Sequence, residues 1–158
     1  MLKFNVALFE PEIPQNAGTI LRLASCLSFN VDIIIPCKFI LNDKNFKRAG
    51  MDYLNDVSYT LHDNFESFFK KYSLLNHRII LATTKASNSY TNFSYQENDI
   101  ILFGSESRGV TDTVADSIKD KIKINMAENK RSLNLAVSCS MIAGEAIRQI
   151  NLKQWLIF

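Results

Sequence analysis

Five glycines, three prolines, three cysteines and two histidines are all that 158 residues hold of the types that usually mark turns, ligand loops and metal centres. Cys26, Cys37 and Cys139 are odd in number and form no C-x-x-C pair, so reduced, buried thiols are expected rather than disulfides or a zinc site. His62 and His77 stand apart from other ligand types, which leaves them surface or structural roles and predicts no metal. No apolar run approaches the roughly 20 residues that span a bilayer, so no membrane association is expected. The start, MLKFNVALFEPE, has one lysine and no cleavage-type small residues behind a long apolar core. It reads as a first strand, not a signal peptide, and a cytoplasmic protein is expected. A net charge of +2 is too small to hold nucleic acid by a global field. G-x-G-x-x-G is missing, as are the Lys-Ser or Lys-Thr of a P-loop, a Ser-His-Asp set and a Cys-His set.

What is present is ordinary globular material, 47% hydrophobic and 22% charged, of a length that predicts one domain over residues 1–158. Lys3 to Phe9 is an apolar run stopped at Glu10-Pro11, and Glu10 to Gly18 reads as a loop. A helical pattern starts at Thr19, and Val31 to Ile35 is a β-branched run closed by Pro36. Further strands are predicted at Val57–Leu61, Arg78–Thr83, Asp99–Phe103 and Lys121–Asn125. Helices are predicted at Asn42–Gly50, Asn64–Tyr72 and Thr111–Ser117. Strands alternating with helices predict an α/β fold, a mostly parallel sheet with helices on both faces.

The stretch from Asn125 to Gln149 opens with a polar run and turns into about sixteen residues of helix former. Ser132 or Asn134 can cap it, since a short side-chain oxygen accepts a first-turn N–H. Leu135, Cys139, Ile142, Ala146 and Ile150 form an apolar stripe, while Ala136, Ser140 and Gly144 form a row with almost no side chain. The helix reads either as a buried core element or as one that also packs against a second copy. The apolar tail, Trp155 to Phe158, adds to the second reading.

Three polar loops leave strand ends: Glu10–Gly18, Gly104–Gly109 and Asn125–Asn134. Ligands of open α/β sheets sit beyond the carboxyl ends of the strands. Each loop also has a plainer reading: two tight turns at Gly104 and Gly109, a surface ion pair between Glu106 and Arg108, a helix cap at Asn16. Lys44, Lys47 and Arg48, with Lys38 nearby, share one face of a short helix. That face is either solvated or a phosphate-binding patch.

Taken together, the loops carry a resemblance. Asn16-Ala17-Gly18-Thr19-Ile20-Leu21-Arg22, then Leu102 to Gly109, then Ile124-Asn125-Met126 with Arg131-Ser132-Leu133-Asn134-Leu135 resemble the three motifs of SPOUT RNA 2′-O-methyltransferases. Phe9 to Pro14, Lys47 to Tyr53 and Thr83-Thr84-Lys85 are similar to the subgroup that modifies the tRNA wobble nucleotide. The resemblance covers the whole chain. Its departures are Asn125, where a proline is usual, and Asn129-Lys130 before Arg131, and they bear on the shape of one cofactor loop.

The resemblance implies a SPOUT fold with a C-terminal trefoil knot, S-adenosylmethionine as methyl donor, and a homodimer acting on tRNA. Its product would be the 2′-O-methyl ribose of the wobble pyrimidine. The same reaction on another tRNA or rRNA nucleotide is the alternative, as is a catalytically silent RNA binder. It implies catalytic positions for Asn16, Arg22, Glu106, Ser132 and Asn134, and cofactor-binding positions for Ala82, Gly104, Ile124 and Ser132. Ala82 and Ile124 read equally as strand core. The RNA patch would be Lys44, Lys47 and Arg48. A guanidinium is a poor base at neutral pH, so Arg22 is read as a hydrogen-bonding partner of the 2′-oxygen, with an RNA phosphate taking the proton.

Overall fold

The computed structural model describes residues 4–41, 46, 48 and 59–155, with backbone alone for 152–155. In chain order the elements are β1 (Asn5–Phe9), α1 (Pro14–Leu27), β2 (Asn30–Ile34), β3 (Tyr59–His62) and α2 (Phe65–Leu74). There follow β4 (Ile79–Ala82), β5 (Ile100–Phe103), α3 (Asp112–Ser117), β6 (Asp120–Ile122) and α4 (Leu135–Trp155). The strands form one six-stranded sheet, ordered β3-β2-β1-β5-β4-β6. Every adjacent pair is parallel, with Val6 beside Val31 on one side and Ile101 on the other.

Parallel strands joined by helical crossovers are covered on both faces, which explains the apolar runs Val6–Phe9 of β1 and Ile100–Phe103 of β5, and the largely apolar β2. Alternate side chains serve opposite faces. Val6, Leu8, Val31, Ile33, Ile101 and Phe103 pack with α1 and α4, while Ala7, Phe9, Ile34, Ile100 and Leu102 pack with α2 and α3. A small polar cluster around one carboxylate interrupts the second face. Asp32 of β2, 1% exposed, accepts hydrogen bonds from Asn5 Nδ2 and Tyr72 Oη, each 2.8 Å away. His62 Nε2 lies 2.6 Å from the same carboxylate. The structural role of His62 is thus to sit within hydrogen-bond distance of a buried carboxylate.

The expected stripe of α4, Leu135, Cys139, Ile142, Ala146 and Ile150, is buried throughout. The helix is longer than expected, at 21 residues. Its row of small residues does not admit another backbone of this chain: Ser140 and Gly144 are exposed, and a Cβ on Gly144 would meet nothing within 4 Å. Helix α1 starts five residues before the expected Thr19, so Asn16 to Gly18 is helical and not loop. Proline at the first helical position explains the early start, because its fixed φ suits the first turn and its missing N–H is no loss there. Arg48 is helical and exposed, whereas Lys44, Lys47 and the side chains of the C-terminal tail lie outside the described residues.

Candidate active site

The loops after β1, β5 and β6 meet at the carboxyl end of the sheet, around a cleft of about 730 Å³. That is within the roughly 300–1,000 Å³ of ordinary small-molecule sites. Ala82, Gly104, Ile124 and Ser132 all line it, as do Asn16, Glu106 and Asn134. The floor is apolar, with Leu81, Ala82, Ile124 and Ile142. The rim carries Lys85, Arg108, Lys121 and Lys123. The loop after β4, Thr83 to Lys85, is a fourth contributor, tied in by Thr83 N–H donating to the Ile122 carbonyl at 2.9 Å.

Seven of the eight residues expected at the reaction or the cofactor thus share one cleft; Arg22 does not. It stands exposed on α1, outside the residues that line the cleft. Six positions along a helix is about 9 Å of rise and a rotation of roughly 120° from Asn16, so one helix cannot aim both side chains into the same cleft.

Three expected catalytic residues form a hydrogen-bonded chain. Asn134 Nδ2 donates to Asn16 Oδ1 at 2.9 Å, and Asn16 Nδ2 donates to Glu106 Oε1 at 3.0 Å. Each outer member also closes a helix end. Asn134 Oδ1 accepts from Ala136 N–H and Val137 N–H at 2.8 and 3.2 Å, which makes Asn134, not Ser132, the cap of α4. Glu106 accepts from Glu12 N–H at 2.8 Å and Ile13 N–H at 3.2 Å, just ahead of α1. The residue at the cap position of α1, Ile13, has no side chain that could serve. A carboxylate 90 residues away in sequence from Asn16 supplies what the local sequence lacks, at the positive end of the helix dipole. The helix-cap reading of Asn16 gives way to a bridge between two caps. Arg108 faces Glu10 at 4.0 Å rather than Glu106.

The loop after β5 is closed on itself. Ser105 and Gly109 exchange backbone hydrogen bonds of 3.0 and 2.9 Å, and Ser105 Oγ donates to the Gly109 carbonyl at 3.0 Å. A Cβ on Gly104 would stand 2.5 Å from the Gly109 carbonyl carbon, and Gly109 itself has φ +70. Both glycines are required by this ring: one by close approach, the other by a left-handed backbone. The tight-turn and ligand-loop readings are therefore the same object, a turn whose backbone forms one wall of the cleft.

Glu12 braces the loop from behind. Its carboxylate accepts from Ser107 Oγ at 2.8 Å and Ser107 N–H at 3.2 Å, and Lys38 Nζ lies 2.6 Å from it. These contacts, Lys38 first and Ser107 second, hold the Glu12 carboxyl below its ordinary value of 4.5. Sequence reasoning missed Glu12, Ser107 and this use of Lys38; no periodicity or motif reports a contact between residues 95 apart in the chain. Close by, burial and then the charges of Glu10 and Glu106 push the Cys37 thiol up to about 11, so it is an inert thiol. Cys139, fully buried, is pushed up to about 12. Among the described residues all three cysteines are free, no group of three or more His, Cys, Asp or Glu could hold a metal, and no helix is long and apolar enough to cross a membrane.

Known proteins agree with this geometry. The SpoU rRNA Methylase family matches residues 3–144. A tRNA (cytidine(34)-2′-O)-methyltransferase of Beijerinckia indica is 43% identical over 145 residues, covering 92% of this chain and 91% of that protein. Its namesake in Escherichia coli K12 is 36% identical over 148 residues, covering 92% and 93%. A solved structure described as giving insights into the 2-OH methylation of C/U34 on tRNA superimposes with a TM-score of 0.90 at 37% identity, covering 94% of this chain and 96% of that one. With its length matched almost end to end by the family and its three motif loops gathered at one cleft, the chain belongs to the SpoU methylase family.

Proposed function

We propose that this protein methylates the ribose 2′-hydroxyl of the wobble pyrimidine of tRNA, using S-adenosylmethionine. The observation that carries the reading is the convergence of Asn16, Gly104–Glu106 and Ile124–Asn134 on one cleft, in a chain that resembles C34 methyltransferases over nine-tenths of its length. The cleft suits a nucleoside-bearing donor. Its apolar floor takes a base, and the Gly104–Gly109 ring, where a Cβ would not fit, brings main-chain groups against it. S-adenosylmethionine supplies a methyl group already activated on a sulfonium sulfur, so the protein's task is alignment.

Alignment falls to the hydrogen-bonded chain. Glu106, Asn16 and Asn134 lock the loop after β5, the first turn of α1 and the start of α4 into one unit, so that cofactor wall and acceptor side cannot drift apart. Ser132, exposed and among the residues that line the cleft, would meet the ribose with its hydroxyl. Arg22 stabilises the developing charge on the 2′-oxygen as a hydrogen-bond donor, and an RNA phosphate accepts the proton.

The working unit in this reading is a homodimer, built from residues 1–158 as single domains that each carry the C-terminal knot. Leu133, just ahead of α4, and Val137 and Met141, four residues apart on it, are 42%, 49% and 37% exposed beside the small exposed pair Ser140 and Gly144. An apolar face of this kind suits a second copy. Arg22, outside its own cleft, would then serve the cleft of the other copy. The patch of Lys44, Lys47 and Arg48 would take tRNA phosphates, in the cytoplasm where tRNA is modified.

The test is transfer of labelled methyl from S-adenosylmethionine to total tRNA, followed by mapping of the product nucleotide. Label on the 2′-oxygen of the wobble pyrimidine is expected. Label on another nucleotide would move the substrate, and cofactor binding without transfer to any RNA would leave a silent binder.

A further inference from the structure

Three loops leave the carboxyl ends of three adjacent strands, β2, β1 and β5, and one side chain touches all of them. Glu12 belongs to the loop after β1. Its carboxylate holds both polar groups of Ser107 in the loop after β5, and it pairs with Lys38 in the loop after β2. Backbone contacts reinforce the second junction, with Lys38 N–H donating to the Pro11 carbonyl at 3.2 Å.

The arrangement is reciprocal. Glu106 reaches from the β5 loop to the backbone N–H groups of Glu12 and Ile13, while Glu12 reaches back to the backbone N–H of Ser107. Two carboxylates therefore cross the same junction in opposite directions. They differ in what they hold. Glu106 bonds the 6%-exposed Asn16 and closes a helix end, so it belongs to the fold. Glu12 bonds groups of Ser107 that are exposed and that water would satisfy in its absence. Removing it costs the fold little, yet it frees the tip of the loop whose backbone walls the cleft.

We propose that Glu12 is a positioning residue: through Ser107 it holds the loop 104–109 in its cofactor-accepting shape, and through Lys38 it couples that loop to the segment following β2. The inference rests on the methyl-transfer reading above. Lys38 is 57% exposed and, like the 70%-exposed Arg108 of the β5 loop, could be reached by a nucleic-acid phosphate; Lys38 alone pairs with Glu12, so substrate at the β2 loop and cofactor in the cleft share this carboxylate.

The experiment uses the full chain and the variants Glu12→Gln, Glu12→Ala, Ser107→Ala, Lys38→Met and the double variant Glu12→Ala/Lys38→Met. Binding of S-adenosylmethionine is measured by calorimetry, turnover by steady-state methylation of tRNA, and loop order by amide exchange over residues 105–109. Glu12→Ala and Ser107→Ala should weaken cofactor binding and raise its KM about tenfold, while kcat at saturation changes less than about threefold. Lys38→Met should act in the same direction but more weakly, and add nothing in the Glu12→Ala background. Melting temperatures should stay within about 3 °C, and amide exchange at 105–109 should quicken in Glu12→Ala without any cofactor present. Unchanged cofactor affinity in both Glu12→Ala and Ser107→Ala would overturn the proposal, as would full additivity of Lys38→Met. If Glu12→Ala does not fold, Glu12→Gln and Ser107→Ala decide the matter alone. A wild-type protein that binds no S-adenosylmethionine refutes the methyl-transfer reading, while the exchange data still report on the clasp.

Discussion

Replacing Glu106 with alanine should damage the fold before it touches any chemistry. The carboxylate accepts three hydrogen bonds, from Glu12 N–H, Ile13 N–H and Asn16 Nδ2. A hydrogen bond to a charged group contributes about 1.5–3 kcal/mol when its partner is left stranded, but the two backbone donors lie near solvent and water replaces most of their loss. The buried Asn16 amide is the one left short, at about 1–2 kcal/mol. The favourable charge at the start of α1 adds about 0.3–1 kcal/mol. A total of about 1.3–3 kcal/mol corresponds to a fall in Tm of about 4–9 °C for a chain of this size. Glu106→Gln keeps an acceptor oxygen and loses the charge, so it should lie roughly halfway. Calorimetric melting with turnover measured on the same samples checks both. A Glu106→Ala protein that melts like wild type yet turns over no substrate would refute the reasoning and return Glu106 to a purely chemical role.

Gly104→Ala should abolish cofactor binding in calorimetry, because a Cβ 2.5 Å from the Gly109 backbone cannot be accommodated without opening the loop. Mixed with Arg22→Ala, which should bind cofactor normally without turnover, it should restore about a quarter of wild-type activity if Arg22 serves the other copy's cleft; no recovery would place Arg22 in its own. Asp32→Ala should lower stability by about 3–5 kcal/mol in urea titrations, because it strands His62 and Tyr72 on a buried face; a loss under 1 kcal/mol would contradict that. The carboxyls of Glu12 and Glu145 are both lowered, chiefly by hydrogen bonds from Lys38 and Arg148. Their contributions are therefore complete above about 4.5 and fade as pH falls through the lowered folded-state values. The difference in Tm between wild type and Glu12→Gln should shrink over that acid range, and a difference that grew with acid would reverse the sign of the argument.

Much of the scaffold could be read directly. A strand buried on both faces is largely apolar, so β1, β2 and β5 were legible in the runs Lys3–Phe9, Val31–Ile35 and Asp99–Phe103. The stripe on α4 followed from helical periodicity alone, and Asn64 and Thr111, where two helices were expected to begin, are the caps of those helices. The start of α1 was misread for the same reason that the others were legible: its cap is not local. Ile13 has no capping side chain, and the Glu106 carboxylate comes from another strand's loop to the N–H groups of Glu12 and Ile13 just ahead of the helix.

The motifs in the sequence named the residues of the site but not their duties. Asn16, Glu106 and Asn134 carry no mark that distinguishes a group facing substrate from one that ties two helix ends together. That distinction appears only when loops from β1, β5 and the stretch after β6 are brought to one edge. The identities of Gly104 and Gly109 were visible, yet the need for them arises from a backbone approach that only the closed ring creates. Glu12 with Lys38 and Ser107 was invisible, since its partners depend on strand order, which sets β5 beside β1 although the two are far apart in sequence. Periodicity and caps are set within one turn or one strand, where the chain itself holds the residues together. The clasp and the hydrogen-bonded chain were decided by which strands lie side by side, because hydrogen bonds reach about 3 Å and only the folded sheet brings such distant residues that close.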